Sequence, residues 1–489
     1  MLRSGILKRL LSFLRRWLDR PPAATSPSAE TEARRLPTMP TGAPAAQVSA
    51  LPSPRPIKRQ ERTLVVGIDF GTSTTKVIWQ DLSDNHFEVI QWRPSNDGLS
   101  SFLLPSTILL RGGSMHFGLS EADADGDDLW LHSIKLCVLC RRKPSICRCG
   151  NTVARHGMIG LPGSEQPIPA SSFACLFLAH VFQEVERRLL TQFPDDDLVL
   201  IWNVGCPMDH LDVGDLRSEW EKMTGAAIEL RRRVHSKADM SLLADATRLV
   251  NAFVVAAPSE RSYFVQPEGL AAVKAFLESP HAESKTYAIV DVGAGTTEVS
   301  FFFNGKAMAE PGQPFRPCYL ADSTDAVGGV KIDQELAQAW CCRVEEAKRR
   351  KEKELESSSI PMVPSIQDIC LQYQRTCGEI VKENKLTSPH DKRFDLFVIG
   401  GGGRLRPLQS ALQYQQMPGG FVRECLQQLK PPRSLKHGAQ LQAHYDFLAI
   451  ACGLASSLDW DYYPPKDVPP MPPPPRKTPK PDVEELYPK

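Results

Sequence analysis

The sequence has no long apolar run, no surplus of either charge and no run with the pattern expected of a secretory leader, and each absence narrows what the chain can be. No stretch approaches the roughly 18 consecutive apolar residues that a membrane-spanning helix needs. With 58 basic and 57 acidic side chains the formal charge is +1, so no overall field draws nucleic acid and no nucleic-acid partner is expected. Charged residues interrupt the first apolar runs too early for a signal peptide. Thirteen cysteines, an odd number scattered over 489 residues, fit a reducing compartment better than a disulfide framework. A cytoplasmic location follows as the expectation. The 42% apolar content is ordinary for a globular chain, and the length allows two or three domains with sizeable cores.

What is present divides into tails and a dense centre. In residues 1–20, Leu2, Ile6, Leu7, Leu10, Leu11, Phe13, Leu14, Trp17 and Leu18 recur at helical spacing among Arg3, Lys8, Arg9, Arg15, Arg16 and Arg20. This reads as a basic amphipathic helix suited to the periphery of an anionic membrane surface or to a groove on a protein partner. A helix docked on its own globular region and a transit peptide are the plainer alternatives. Residues 21–61 are a proline-rich linker, with nine prolines between positions 21 and 60, and residues 461–489 form a proline-rich tail with eleven; both favour extended chain. Between them strand and helix patterns alternate, the signature of an α/β architecture. The apolar spacing predicts a helix over 171–190 and a strand at Leu198-Val199-Leu200-Ile201. The charged run 341–356 reads as a helix with a solvated face.

Three stretches inside this centre share one pattern. Val65-Val66-Gly67-Ile68-Asp69-Phe70-Gly71-Thr72-Ser73-Thr74, Ala288-Ile289-Val290-Asp291-Val292-Gly293-Ala294-Gly295-Thr296-Thr297 and Phe397-Val398-Ile399-Gly400-Gly401-Gly402-Gly403-Arg404 each run from an apolar strand into glycines, where backbone can approach a phosphate closely. Two of them place an aspartate at the strand end. A carboxylate beside a loop of exposed N–H groups suits a metal-bound polyphosphate. The chain has neither GxxxxGK[ST] nor a GxGxxG opening a first helix, which excludes the P-loop and the dinucleotide fold.

The order of these stretches resembles the superfamily of actin, sugar kinases and heat-shock-chaperone ATPases, over roughly residues 63–457. The details are closest to the seventy-kilodalton heat-shock chaperones: Asp69-Phe70-Gly71-Thr72-Ser73-Thr74 is similar to their first phosphate loop, Leu104-Pro105-Ser106-Thr107 and Ser133-Ile134-Lys135 to following segments, Asp325-Ala326-Val327-Gly328-Gly329 with Asp333 to the loop closing over the phosphates, and Gly400-Gly401-Gly402-Gly403-Arg404-Leu405 to the adenosine loop. Cys377-Gly378-Glu379-Ile380-Val381-Lys382 resembles the helix whose Glu and Lys touch adenine and ribose. The resemblance implies a two-lobed actin-like fold of duplicated ribonuclease-H-like domains, with lobe I in 62–285, carrying an insertion at 137–168, and lobe II in 286–460. It implies ATP and magnesium as ligands and a slow ATPase acting as a nucleotide-dependent switch between ATP and ADP states, working on an unnamed protein partner. An actin-like filament former, a small-molecule kinase and a non-hydrolysing nucleotide-binding scaffold are the alternatives. Only proline-rich sequence follows Gly453, so chaperone-style peptide binding is not expected.

Roles follow residue by residue. Asp69 and Asp291 position magnesium through water. Backbone N–H groups of Gly71, Thr72 and Ser73 and of Gly293, Gly295 and Thr296 can spread over the phosphates, with Thr74 and Thr297 also expected at the nucleotide. The resemblance implies that Gly328 and Gly329 close the site, that Gly400, Gly401, Gly402, Glu379 and Lys382 surround the nucleoside, that Arg404 stacks on adenine, and that Lys135 adds a cation. In Gln266-Pro267-Glu268-Gly269, Gln266 aligns with the water-orienting position and Glu268, two residues on, is the rival; a glutamine orients water but cannot take its proton. Cys137, Cys140, Cys147 and Cys149 supply four thiolates at a spacing that could hold a structural zinc, although Cys137 also suits a core position.

Overall fold

The computed structural model describes residues 60–457 except 94–97, 121–122, 127, 142–153, 163–165, 208–213, 258–259, 281–282, 284, 305–317, 356, 358, 384, 387–391 and 437–440. The expected basic helix, the linker up to residue 59, and the proline-rich tail lie outside the described residues, as do Cys147 and Cys149. The described chain is mixed α/β, with ten α-helices and several sheets. Among the described residues no helix is long and apolar enough to cross a membrane.

Two sheets share one strand order. In the first, β1 (Gln60–Phe70) is central: β2 (Thr74–Asp81) and then β3 (His86–Val89) lie antiparallel on one side, and β4 (Asp196–Cys206) and then β5 (Tyr263–Pro267) lie parallel on the other. Leu104–Pro105 adds a short strand against β2. The second sheet repeats the plan around β6 (Thr286–Val292): β7 (Thr297–Phe303) and β8 (Cys318–Asp325) antiparallel on one side, β9 (Arg393–Ile399) and β10 (Val422–Gln427) parallel on the other. A separate four-stranded sheet joins Lys237–Asp239, Ser114–Phe117, Ile108–Arg111 and Leu129–Leu131.

The central strands are apolar on both faces, and period two sorts their side chains. Leu64, Val66, Ile68 and Phe70 of β1 enter one core, with Phe173 and Phe177 of a long helix that spans Ala170–Gln192. The opposite face of β1 carries Gly67 and Asp69. In β6, Ala288, Val290 and Val292 enter a second core, while Tyr287 and Ile289 enter a third, and Asp291 shares their face. Burying each such Val, Leu or Ile is worth about 1.5–3 kcal/mol relative to leaving it in water.

Helices in chain order are α1 (Ile134–Cys140), α2 (Ala170–Gln192), α3 (Gly214–Leu230), α4 (Ser241–Ala252), α5 (Glu268–Glu278), α6 (Gly329–Ala339), α7 (Val344–Lys353), α8 (Pro364–Lys382), α9 (Arg406–Tyr414) and α10 (Tyr445–Ala455). The third core joins the two sheets through α5 and α10. Helix α5 follows the first sheet yet packs on β6 and β7, and α10 follows the second sheet yet packs on β1 and β2. Glycines allow the contact. A Cβ at Gly67 would lie 2.3 Å from the Ala451 carbonyl oxygen of α10, and one at Gly453 would lie 1.7 Å from that of Ala271 in α5. Phe276 of α5 packs its ring 4.3 Å from Tyr287 and 5.3 Å from both Phe302 and Phe397.

Three expectations shift. The first strand begins at Gln60, inside the expected linker, because Gln60 and Glu61 pair with Asp196 and Asp197 while Arg62 bonds Asp196 at 2.6 Å. The helix expected from residue 341 starts at Val344: Cys341 takes a left-handed conformation (φ 52°) in the turn after α6. Its face is not wholly solvated either, since Ala347 and Lys351 are buried.

Gly453→Val forces a branched side chain into a backbone-to-backbone contact and is expected to cost on the order of 3 kcal/mol. The measurement is the midpoint of denaturant unfolding; an unchanged midpoint contradicts the close α5–α10 packing.

Candidate functional site

Both central strands deliver an aspartate one residue before their end, on the face turned to α5 and α10. After β1 the chain turns through Gly71, Thr72 and Ser73, with the Gly71 N–H bonding the Asp69 carbonyl at 3.0 Å, and Thr74 opens β2. After β6 it turns through Gly293, Ala294, Gly295 and Thr296, closed by the Gly293 N–H to the Thr296 carbonyl at 2.9 Å. Both glycine stretches are therefore hairpins between antiparallel strands. They meet: a Cβ at Gly295 would lie 2.6 Å from the Thr72 hydroxyl. Only glycine permits that approach.

The third glycine stretch follows β9. Gly400 has φ 78°, and a Cβ there would come within 2.3 Å of Asp291 Oδ1, so a side chain at this position would strike the carboxylate. Gly401–Arg404 forms a 3-10 turn leading into α9. Arg404 presents a two-pronged edge to Asp446 in the first turn of α10, Nε to Oδ2 at 2.7 Å and Nη2 to Oδ1 at 2.5 Å, and its guanidinium lies 4.6 Å from the Phe447 ring centre. The residue expected on adenine is thus oriented by two neighbours that the sequence motif did not disclose.

Charge gathers at the hairpins. Across the first, Asp69 pairs in register with Lys76, whose ammonium bonds Asp69 Oδ2 at 2.8 Å. At the start of α5, buried Glu268 accepts from Lys135 on the first turn of α1. Burial pulls the Lys135 ammonium down, but the attraction of Glu268, Asp69 and Glu298 outweighs it and the balance is upward. Burial pushes the Glu268 carboxyl up, with Lys135 opposing. Asp291 is raised to about 7, first by burial and then by repulsion from Asp69 and Glu268, against the pull of Lys76 and Lys135. Four carboxylates, Asp69, Asp291, Glu268 and Glu298, and two ammonium groups therefore share one field, with the acids in excess.

Gly328 and Gly329 close on the second hairpin. The Gly329 N–H bonds the Gly293 carbonyl at 2.9 Å, and that of Val330 bonds the Ala294 carbonyl at 2.8 Å. Thr297, expected at the ligand, is fully buried and donates its hydroxyl to the Val327 carbonyl, so it fastens this turn to the hairpin. Gln372 of α8 supports the same corner, donating to the Thr297 carbonyl at 3.1 Å.

The remaining candidates sort differently. Gln266 accepts from Lys274 of α5 at 3.2 Å, whereas Glu268 faces Lys135 and feels Asp69; of the two rivals, Glu268 is the one within the charged cluster. Glu379 and Lys382 lie exposed at the C-terminal end of α8, and the charges acting on Glu379 are all local: Glu383, Lys385, Lys382 and Arg375. Cys137 and Cys140 are fully buried on α1; their expected zinc partners Cys147 and Cys149 lie outside the described residues. Among the described residues no group of three or more His, Cys, Asp or Glu is arranged to hold a metal ion.

Sequence reasoning passed over Lys76, Lys351, Asp446 and Phe447. Lys76 had a usable signal: four residues, 71–74, between the paired Phe70 and Thr75 place position 76 opposite position 69. The others are brought in from separate elements and carry none.

No protein-family model matches this chain, and no curated protein gives a significant match.

The raised Asp291 carboxyl makes a signed prediction. An acid held above its ordinary range favours the protonated fold, so stability is greatest at low pH and is lost as pH rises from about 4 through about 7. Asp291→Asn removes that loss. It is expected to stabilise the ligand-free protein by on the order of 2 kcal/mol at pH 8 and by less than half as much at pH 5, read from unfolding midpoints at the two pH values. A variant less stable than the native chain at pH 8 contradicts the crowding of acids.

Proposed function

We propose that this protein binds adenine nucleotide between its two sheets, in the manner of the two-lobed actin-like ATPases, and is a slow magnesium-dependent ATPase that works as a conformational switch. The observation that carries the reading is the meeting of two glycine hairpins, one from each sheet, each following a strand-end aspartate. The repeated strand order and the crossed placement of α5 and α10 support the fold assignment: a ligand touching both hairpins bears on both sheets at once.

The chain's own groups divide the work. The Gly71 and Gly293 N–H groups close their own turns, so the donors for phosphate oxygens are the remaining backbone N–H groups of the two hairpin tips. Lys76 and Lys135 offset phosphate charge while staying tied to Asp69 and Glu268. The crowded acids fit a cation, since a positive charge relieves the repulsion that raises Asp291. Magnesium, when bound with the nucleotide, would neutralise phosphate oxygens and be held through water by Asp69 and Asp291. Glu268, which lies in the charged cluster beside Lys135, is in this reading the group that orients water and accepts its proton. Arg404, fixed by Asp446 and backed by Phe447, offers a flat cationic surface for a base.

Two measurements test this reading. Calorimetry in magnesium buffer is expected to show ATP binding by the native protein and at least tenfold weaker binding by Asp69→Ala; no ATP binding by the native protein defeats the proposal. In single-turnover hydrolysis, Glu268→Gln is expected to slow ATP cleavage about 100-fold, while Gln266→Ala changes it less than about threefold, because Gln266 is engaged by Lys274. The reverse ranking returns the water-orienting role to Gln266.

A further inference from the structure

We propose that Lys351 is a phosphate-positioning residue, acting on the nucleotide through the Gly328–Gly329 turn; this rests on the adenine-nucleotide reading above. Helix α7 is otherwise strongly polar, with Glu345, Glu346, Arg349, Arg350 and Glu352 exposed. Lys351 departs from that pattern. It is buried one turn after buried Ala347, on the face packed against α6, and an ammonium is costly to bury unless something nearby uses its charge.

Its neighbours say what that use is. The ammonium pairs with Asp333 Oδ1 at 2.5 Å, and a Cβ on Gly329 would lie 3.8 Å from it. Lys351 therefore sits directly behind the turn that closes on the second hairpin. That turn has no slack: a Cβ on Gly328 would meet the Gly293 and Ala294 carbonyl oxygens at 2.7 and 2.8 Å. The N–H groups of Gly329 and Val330 are already given to those two carbonyls. The start of α6 thus spends these donors on the hairpin, and the positive charge behind the loop comes from Lys351. Hairpin, glycine turn and ammonium form three stacked layers, so displacing the ammonium loosens the turn and then the loop that takes the terminal phosphate. The Asp333 carboxyl is raised by burial even with Lys351 pulling against it, which agrees with a pair seated in a dry place.

A purely structural ion pair predicts something different, and three variants separate the two. Lys351→Met removes the charge, Lys351→Arg retains it, and Lys351→Met with Asp333→Asn removes both charges and so leaves no unpaired buried acid. Dissociation constants for ATP and ADP are measured in magnesium buffer together with the ligand-free melting midpoint. Lys351→Met is expected to weaken ATP about tenfold and ADP less than about threefold, and Lys351→Arg to restore most of the loss. The double variant should recover the melting midpoint but not ATP affinity. If it binds ATP as tightly as the native chain, or if ATP and ADP weaken equally in step with lost stability, Lys351 is structural only. Failure of the native protein to bind ATP would instead defeat the underlying reading, and this one with it.

Discussion

The mutual repulsion of acids at the ends of the two central strands is the constraint around which the structure is arranged. Asp69, Asp291 and Glu268 occupy one poorly solvated region, and the cost of that crowding is visible in the elevated Asp291 carboxyl. Lys76 and Lys135 compensate in part, each tied to one acid. Replacing the whole set of charges by packed apolar side chains would suit the fold better, whereas removing one member of a pair strands its partner. Keeping charge there is a stability cost that makes sense when the groups serve a ligand.

The acids meet because two helices hold the sheets together. Helix α5 leaves the first sheet and packs on the second, and α10 does the reverse. Their backbones approach at Ala271 and Gly453, too closely for any side chain. Such a contact tolerates little sliding, since protein interiors are close-packed and resist small displacements. Glu268 is the first residue of α5, and Asp446 lies in the first turn of α10. The helices that join the sheets therefore also carry one member of the charged cluster and the partner of Arg404. Any change in the relative position of the sheets moves both.

Much of the local structure was legible. The apolar runs around Val65 and Val290 are buried on both faces, as central strands should be, and the glycines after them turn tightly between antiparallel partners. The 171–190 helix lies within Ala170–Gln192. The candidate site was readable as three separate loops with an aspartate on two of them. Its interior was not. Gln266 and Glu268 are two residues apart, yet Gln266 belongs to a strand and turns to Lys274, while Glu268 starts a helix and turns to Lys135; sequence alignment on the proline between them could not tell the two directions apart. Thr297 looked like a ligand contact because it follows Thr296, but in a strand successive side chains point opposite ways.

The sequence by itself determined where strands end in glycine, where the aspartates stand, and that the dense centre is α/β, because these follow from local rules of backbone freedom and period-two burial. Tertiary structure alone decided which charges meet. Lys135 reaches Glu268 across 133 residues, and Lys351, placed by its neighbours on a solvated helix face, is buried against Asp333 by the way α7 folds back on α6. Pairings of that kind depend on how whole elements pack, and no local pattern in either partner encodes them.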